Sequence, residues 1–336
     1  MKVCLYLEFY HFAGGFLFKK IGTGLLSSYK NQKAILAQAG IPFIERWDST
    51  CDILQINTPW LKSLYLIRKA HRQGKKVIIW SHITPEDAQQ VFRVMILIAP
   101  LFRRYIVHAY NQADIIFSPS AYTKTLLVQH GIAPEKIIVH SNAVNTKKYY
   151  ADATLRRTGR EKYGQGDVRI GSMGLVIPRK GIDTFLKLAG QFPQTSFTWF
   201  GKIYSSIMVK PLPKKLPANV RFTGYVPDIN EAYNSLDVFI FPSYEENEGM
   251  VILEAASAGL PILVRDIPTY NGWLVHGTNC LKAKNDEEFN SCLKQLLSDP
   301  ALRQKLGAGA KKLAQEKSIE NIASHIGEEY QRIVSR

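Results

Sequence analysis

Short runs of β-branched and aromatic residues alternate with helix-length segments along most of this 336-residue chain. In the first half, strands are predicted at 3–7, 52–57, 76–80, 113–119 and 136–141. Strands separated by helices form parallel sheets that are covered on both faces. The first half therefore predicts a doubly wound α/β unit.

The same alternation restarts after a polar segment at 151–166, which we predict to be a linker. Further strands are predicted at 168–174, 197–201, 220–224, 237–243 and 260–264. We therefore expect two Rossmann-like domains, 1–150 and 167–317, that face a cleft at the carboxyl ends of both sheets. A C-terminal helix at 318–336 is expected to pack back on the first domain.

The charge of the chain is concentrated in its first half. The net charge is +15, and residues 1–165 hold 23 Lys and Arg against 10 Asp and Glu. This excess indicates either an anionic partner or a solubilising surface. Four widely spaced cysteines and the lack of a signal peptide favour a reduced cytoplasmic protein, and the longest apolar run is too short to span a bilayer.

The most specific motif is FIFPSYEENEGMVILEAASAGLPILV at 239–264. Glu246 precedes a predicted helix start and Glu254 lies one turn inside it, so both can face one ligand. Backbone N–H groups around Gly249, Met250 and Val251 favour a diphosphate or a sugar hydroxyl. A carboxylate can accept two hydrogen bonds from a diol.

Acidic residues also favour a helix N-terminus for electrostatic reasons alone, and we prefer this interpretation for Glu245 and Glu248. The segment RIGSMGLVIPRKGIDTFLKLA at 169–189 places Arg179 and Lys180 at a strand-to-helix junction. Two cations there would stabilise a departing diphosphate. The alternative is a solvated basic turn.

The run from Glu246 to Glu254, followed by A-x-A-G-L-P, resembles the signature of family 4 glycosyltransferases with the GT-B fold. The resemblance implies a retaining enzyme in which Glu254 holds the donor ribose and Glu246 contacts the transferred sugar. It adds Lys180 and Arg179 as catalytic and donor-binding residues, although the family arginine usually stands several residues earlier, where this chain has Leu175.

Two further features match the same family. Gly22 and Gly24 precede a predicted helix, as in the family's N-terminal glycine loop, and are expected to bind the donor. His82 ends a strand where the family places a catalytic histidine near the donor sugar. Asn57 and Thr58, which end the preceding strand, are candidates for the acceptor pocket.

No D-x-D motif occurs, so the sequence predicts no metal and no cofactor besides a UDP-sugar co-substrate. Residues 52–275 are similar to bacterial diacylglycerol and glucosyl-diacylglycerol glycosyltransferases, which implies a lipid acceptor. The motif Asn142-Ala143-Val144-Asn145 departs from the usual N-G-[IV]-D.

A lipid acceptor accounts for the basic first half, because cations bind an anionic membrane surface. The expected membrane-binding cations are Arg68, Lys69, Arg72, Lys75, Lys76, Arg103 and Arg104. The apolar stretch 91–104 is either an interfacial segment or a core helix. We expect a peripheral protein on the inner face of the cell membrane.

Three alternatives remain open at this stage. The acceptor could belong to a polysaccharide or another glycoconjugate. A UDP-sugar epimerase could use the same two-domain fold. A nucleic-acid-binding protein would fit the charge, but the sequence has no RRM, KH or zinc-finger pattern.

Overall fold

The computed structural model describes residues 1–8, 24–86, 95–164, 166–203 and 211–335. Contacts divide the chain into two units. Unit 1 comprises Met1–Ala143 and Ile319–Arg336, and unit 2 comprises Val144–Ser318. Each unit contains one six-stranded parallel sheet. The C-terminal segment thus belongs with the first unit, although it follows the second in sequence.

The sheet of unit 1 has the strand order β2-β1-β3-β4-β5-β6. Its strands are β1 Val3–Tyr6, β2 Phe43–Ile44, β3 Ile53–Ile56, β4 Lys76–Trp80, β5 Ile115–Ser118 and β6 Ile137–Val139. The central strand β4 is apolar without alternation because helices cover both of its faces. Its register pairs Ile56 with Ile79, so the polar residues after β3 and β4 emerge at one edge.

Among the residues described before the unit boundary, the α-helices are α1 Gly24–Gln38, α2 Leu61–Arg72, α3 Met95–Asn111 and α4 Ala121–Gln129. The C-terminal helix, Ile319–Ser335, also packs in unit 1. Its buried stripe of Ala323, Ile326, Tyr330 and Ile333 follows helical spacing and joins the apolar cluster that contains Trp80. Burial of this stripe ties the end of the chain to the first sheet.

The sheet of unit 2 has the strand order β12-β11-β10-β7-β8-β9. Its strands are β7 Arg169–Met173, β8 Ser196–Phe200, β9 Val220–Gly224, β10 Val238–Phe241, β11 Ile262–Arg265 and β12 Leu281–Ala283. The short strands β2 and β12 were not among the predicted strands. Runs of two or three residues are too short to show periodicity in a sequence.

The helices of unit 2 are α5 Ala153–Tyr163, α6 Ile182–Gln191, α7 Ile229–Asn234, α8 Met250–Ser257, α9 Asp286–Ser298 and α10 Pro300–Glu316. Helix α9 ends at Ser298, and Pro300 is the first residue of α10. In the described part of the chain, no helix has the length and apolarity needed to cross a membrane.

The prediction of a linker at 151–166 is wrong, because helix α5 occupies most of this segment. Asp152 caps the helix by accepting a 2.8 Å hydrogen bond from Leu155 N. Arg160 Nη1 lies 3.1 Å from Asp237 Oδ1, which anchors α5 to the start of β10. The polar residues that resembled a linker are engaged in tertiary contacts that a local pattern does not reveal.

Both sheets are parallel and flanked by helices, which confirms the predicted α/β class with two Rossmann-like units.

Candidate active site

A buried ion pair joins two loops at the carboxyl edge of the unit 2 sheet. Lys180 Nζ lies 2.5 Å from Glu246 Oε1, and these side chains are only 16% and 8% exposed. Ser243 Oγ donates a 2.7 Å hydrogen bond to the same carboxylate oxygen. Each buried charge depends on the other for compensation. The fold therefore brings together two residues that lie far apart in sequence.

The backbone geometry that creates this pair depends on one glycine. Lys180 ends a 3₁₀ turn over Pro178–Lys180, and Gly181 follows it with a φ of 78°. A Cβ atom at position 181 would lie 2.1 Å from the carbonyl oxygen of Pro242. Glycine alone permits both this φ value and this close approach. The loop that carries Lys180 can therefore lie directly against the end of β10.

Arg179 adds a second cation next to the ion pair. Its Nη1 atom donates a 2.9 Å hydrogen bond to the carbonyl of Glu245. Burial raises the pKa of Glu246, but the charges of Lys180 and Arg179 outweigh burial and hold this pKa below its ordinary value. Glu246 is therefore a carboxylate at neutral pH and accepts hydrogen bonds.

Helix α8 begins beside this cluster. Gly249 precedes it with a φ of 91°, a left-handed conformation that redirects the chain from the acidic loop into the helix. The turn Pro268–Tyr270 lies against the acidic loop, because Thr269 Oγ1 donates a 2.7 Å hydrogen bond to the carbonyl of Glu246. The same turn lies close to Gly249, where an added Cβ would be 3.6 Å from the Tyr270 ring. The predicted N–H donors of Met250 and Val251 form the first turn of this helix.

Glu254 lies on α8 and is 4% exposed. Tyr233 Oη donates a 2.8 Å hydrogen bond to its Oε2 atom and lies 3.2 Å from the carbonyl of Val251. Burial raises the pKa of Glu254, and the hydrogen bond from Tyr233 and the charge of Lys148 offset this only in part. One oxygen of this carboxyl group is therefore already engaged by the protein.

Three side chains of this site were not predicted: Tyr233, Ser243 and Thr269. Ser243 stands in the Pro-Ser pair that ends β10, so its position was recognisable although its bond to Glu246 was not. Tyr233 and Thr269 had no local signal. Glu248, interpreted from sequence as a helix-start acid, is 2% exposed, and its Oε1 atom lies 3.9 Å from Lys317 Nζ.

In unit 1, His82 follows β4 and lies within a polar cluster. Its Nε2 atom is 3.1 Å from Asn57 Oδ1, and its ring stacks on Trp80 with centroids 5.7 Å apart. Burial lowers the pKa of His82 to about 3, so the ring is neutral at physiological pH. The predicted residues Asn57 and Thr58 are both fully buried at the end of β3.

Of the two predicted glycines, Gly22 lies outside the described residues. Gly24 is the first residue of α1 and is exposed. Apart from its chain neighbours and the backbone of its own helix, no described atom lies within 4 Å of the position that a Cβ at Gly24 would take. A requirement for glycine at position 24 therefore stays a prediction.

The predicted membrane-binding cations differ in exposure. Arg68, Arg72, Arg103 and Arg104 are exposed, whereas Lys69, Lys75 and Lys76 are half-buried. Large hydrophobic side chains on the same helices are also exposed, namely Leu61 at 77%, Tyr65 at 61% and Leu101 at 72%. Tyr105 on α3 donates a 2.8 Å hydrogen bond from its Oη atom to the carbonyl of Pro59, which precedes α2.

Part of the apolar stretch 91–104 lies outside the described residues, which resume at Met95. Farther along α3, Ile106, Ala109 and Tyr110 are buried in the apolar cluster of unit 1. The end of α3 is therefore part of the core, whereas Leu101, Arg103 and Arg104 within the stretch 91–104 are exposed. Both interpretations of that stretch stay predictions.

Comparisons with known proteins agree with this architecture. The model of the family described as glycosyl transferases group 1 matches residues 158–313, and the model of glycosyltransferase family 4 matches residues 24–148. The chain is 30% identical to a processive diacylglycerol alpha-glucosyltransferase from Acholeplasma laidlawii, with 99% of each chain covered. It is 28% identical to an alpha-galactosylglucosyldiacylglycerol synthase from Streptococcus pneumoniae, with 90% of this chain and 84% of that protein covered.

A solved structure of HepE from Anabaena, in complex with UDP-glucose, shares the fold. The TM-score is 0.77 at 17% identity, and the match covers 99% of this chain and all of the other. The two family models together span both units, and the 30% identity extends over the full length. The chain therefore belongs to the family 4 glycosyltransferases and has the GT-B fold.

Proposed function

We propose that this enzyme transfers a hexose, glucose or galactose, from a UDP-sugar to diacylglycerol or glucosyl-diacylglycerol, with retention of the anomeric configuration. The observation that carries the proposal is the buried Lys180–Glu246 pair with Arg179 beside it. These groups supply two cations and one carboxylate at the carboxyl edge of a parallel sheet, where open α/β folds bind ligands. The lipid acceptor rests on full-length similarity to the two diacylglycerol-related enzymes.

In this proposal, unit 2 binds the donor. An ammonium group has three N–H donors, so Lys180 can bond Glu246 and a phosphate oxygen at the same time. Arg179 and Lys180 then stabilise the charge that develops on the departing diphosphate, and this role requires no metal ion. The first turn of α8, at Gly249, Met250 and Val251, offers N–H groups to an anion or a sugar hydroxyl.

The two glutamates have different roles in the proposal. Glu246 is ionised, so it accepts a hydrogen bond from a hydroxyl of the transferred sugar and does not act as a general acid. Glu254 binds the donor ribose. Because Tyr233 already engages Oε2, we expect Oε1 to accept the main hydrogen bond from a ribose hydroxyl.

Retention is proposed to follow from attack on the same face as the leaving group. The bond between the acceptor oxygen and the anomeric carbon forms as the bond from that carbon to the diphosphate oxygen breaks. The acceptor proton passes to the departing diphosphate. The cations of unit 2 lower the energy of this step because they lie where negative charge accumulates.

Unit 1 is proposed to bind the membrane that contains the acceptor. The exposed face of α2 carries Leu61, Tyr65, Arg68 and Arg72 at helical spacing, with the apolar residues at its start. Leu101, Arg103 and Arg104 continue this combination of apolar and cationic groups on α3. Apolar side chains beside cations bind the interface of an anionic bilayer. We therefore place the enzyme peripherally on the inner face of the cell membrane.

The proposed activity is tested by incubating the purified enzyme with a panel of UDP-sugars and with diacylglycerol or glucosyl-diacylglycerol in anionic vesicles. Mass spectrometry of the lipid fraction should detect the mass gain of one hexose with UDP-glucose or UDP-galactose, and the product should persist in EDTA. Lys180→Ala is the negative control. A hexose found only on soluble saccharides, or UDP-sugar turnover without an acceptor, would contradict the proposal and favour the polysaccharide or epimerase alternative.

A further inference from the structure

Arg265 is the last residue of β11, at the carboxyl edge of the unit 2 sheet, and is only 7% exposed. Its guanidinium donates three hydrogen bonds: from Nε to the carbonyl of Pro242 at 3.1 Å, from Nη1 to the carbonyl of Lys284 at 3.2 Å, and from Nη2 to Thr184 Oγ1 at 2.8 Å. These three acceptors follow β10, follow β12 and lie in the first turn of α6, respectively. One buried side chain therefore connects four segments of unit 2.

The Pro242 carbonyl links Arg265 to the loop that carries Lys180. A Cβ atom at Gly181 would lie 2.1 Å from this oxygen, so the backbone that follows Lys180 lies directly against it. Arg265 Nε donates its hydrogen bond to the same oxygen. A carbonyl that is held by a rigid guanidinium gives the loop a fixed surface to lie against. The position of Lys180 therefore depends on Arg265 through a single backbone oxygen.

Tyr244 forms a second link to the same loop. Its ring centroid lies 4.0 Å from Arg265 Cζ, and the Phe289 ring centroid lies 5.2 Å from that atom. Guanidinium groups stack on aromatic rings, which restricts the orientation of both partners. The backbone N–H of Tyr244 donates a 2.9 Å hydrogen bond to the carbonyl of Arg179. Because Tyr244 is 46% exposed, the contact with Arg265 gives its ring support that the core does not.

Thr184 forms a third link, on the C-terminal side of the loop. It lies three residues after Gly181, in the first turn of α6. Its Oγ1 atom accepts the hydrogen bond from Arg265 and donates a 2.7 Å hydrogen bond to Asp286 Oδ1 at the start of α9. A hydroxyl that both accepts and donates has a fixed orientation. Arg265 therefore also holds the helix that follows the loop.

We propose that Arg265 is a positioning residue that holds the Lys180 ammonium where the diphosphate of the donor binds. It acts through the three links described above and not by contact with the donor. Lysine is not an equivalent residue at position 265, because one ammonium group has neither the planar fork that reaches three separated acceptors nor the flat surface that stacks on a ring. The identity of the ligand rests on the proposed function, whereas the links themselves are contacts within unit 2.

A double-mutant cycle on the affinity for UDP, measured by titration calorimetry, tests whether Arg265 acts through Lys180. We expect Arg265→Met to weaken UDP binding at least about tenfold in the unsubstituted enzyme, but less than about threefold when Lys180→Ala is already present. The second loss is smaller because the group that Arg265 positions has been removed. An equal loss in both backgrounds would show that Arg265 acts independently of Lys180 and would overturn the proposal.

Arg265→Lys keeps the charge without the planar fork, and it replaces the methionine variant in the cycle if that variant does not fold. We expect it to weaken UDP binding as Arg265→Met does. Near-normal affinity for UDP in Arg265→Lys would contradict the proposal, because it would show that the three links are not needed.

Arg169→Met is the matched control. Arg169 begins β7 at the amino edge of the same sheet, is 8% exposed and donates a 2.7 Å hydrogen bond to the carbonyl of Arg160. Both methionine variants should lower the free energy of unfolding, but only Arg265→Met should lower the affinity for UDP. Equal losses of affinity would reveal a general effect of removing a buried arginine, and the positioning role would be wrong.

Hydrogen–deuterium exchange without any ligand separates this proposal from the proposed function. Arg265→Met should speed amide exchange in peptides that cover residues 177–184, and Arg169→Met should not. Unchanged exchange in Arg265→Met would overturn the positioning role even if the enzyme transfers a hexose. If exchange changes as expected but the unsubstituted enzyme does not bind UDP, the ligand assignment fails with the proposed function, whereas Arg265 is confirmed as the residue that holds the loop.

Discussion

Lys180 and Glu246 are 66 residues apart in sequence, yet their charged atoms lie 2.5 Å apart at the carboxyl edge of the second sheet. The contact requires the glycine after Lys180, the Pro-Ser pair that ends β10 and the acidic loop to meet at one place. Each charge compensates the other in a largely buried environment. The pair therefore joins two loops of unit 2, and in the proposed function it also binds an anionic ligand.

Removing one partner of this pair should affect activity and folding together. We expect Lys180→Ala and Glu246→Gln to lower kcat/KM at least about tenfold, equivalent to about 1.4 kcal/mol. Each should also reduce the free energy of unfolding by about 3 kcal/mol, because a buried charge loses its partner. Steady-state kinetics and urea denaturation measure the two effects.

Lys187→Ala is the matched control for this prediction. Lys187 pairs with Asp286 at 2.6 Å, but its side chain is 64% exposed. An exposed ion pair contributes little to stability, so both turnover and stability should change little. Equal losses in the Lys187 and Lys180 variants would show that burial of the Lys180–Glu246 pair has no special role.

Glu254→Gln should stabilise the protein at neutral pH while it weakens donor binding. Burial raises the pKa of Glu254, so the folded state binds a proton more tightly than the unfolded chain does. The free energy of unfolding therefore falls as the pH rises from the unfolded pKa of Glu254 through its folded pKa. Glutamine has the same shape but carries no charge, so it avoids the burial of a carboxylate. We expect a higher Tm at pH 7, a gain that disappears in acid, and a raised KM for the UDP-sugar.

Glu246→Gln should change the stability at neutral pH in the opposite direction. Because the pKa of Glu246 is lowered, its charge stabilises the fold at neutral pH, and this contribution is lost as the pH falls through the pKa of the folded state. Thermal unfolding of both variants between pH 4 and 8 tests these two predictions. A lower Tm for Glu254→Gln at pH 7 would show that its carboxylate is better stabilised than the structure indicates.

Gly181→Ala should displace the loop that carries Lys180. The added methyl group would approach the Pro242 carbonyl to 2.1 Å, and the φ of 78° is strained for alanine. We expect a loss of at least about 2 kcal/mol in the free energy of unfolding and a weaker affinity for UDP in calorimetry.

Gly190→Ala in the same helical segment is its control. Gly190 lies inside α6, and apart from its chain neighbours and the backbone of its own helix, no described atom would lie within 4 Å of its new Cβ. Alanine favours a helix interior over glycine by up to about 1 kcal/mol, so this variant should be as stable or more stable. Similar destabilisation of both variants would show that the close approach to the Pro242 carbonyl is not the cause of the loss in Gly181→Ala.

Membrane binding should depend on the exposed cations of α3. Arg103→Ser combined with Arg104→Ser should weaken binding to anionic vesicles by about 2 kcal/mol at low salt, because each cation near the surface contributes about 1 kcal/mol. High salt should weaken the unsubstituted enzyme in the same direction. Co-sedimentation with vesicles of graded anionic lipid content provides the measurement.

Two other exposed arginines control for net charge. Arg157 and Arg332 have side chains that are 68% and 72% exposed and lie on α5 and the C-terminal helix. The Arg157→Ser, Arg332→Ser double variant has the same charge as the α3 variant. If both double variants lose equal affinity for anionic vesicles, the attraction is due to the total charge of the protein and not to the exposed cations of α3.

The sequence by itself determined the fold class and most of the regular elements, because burial on both faces of a parallel strand leaves a continuous apolar run such as KVIIW at 76–80. It also indicated the glutamates and cations of unit 2, since their spacing relative to strand ends places them at one sheet edge. The family signature extended this prediction to the ligand.

Only the tertiary structure decided which partners these groups have. The Tyr233 hydroxyl on Glu254, the helix at Ala153–Tyr163 in place of a linker, and the contact between His82 and Asn57 all depend on residues distant in sequence. Periodicity encodes which face of an element is buried, but it does not encode the identity of the group that lies opposite. Charge state, hydrogen-bond direction and the sign of each pKa shift therefore follow from the assembled packing.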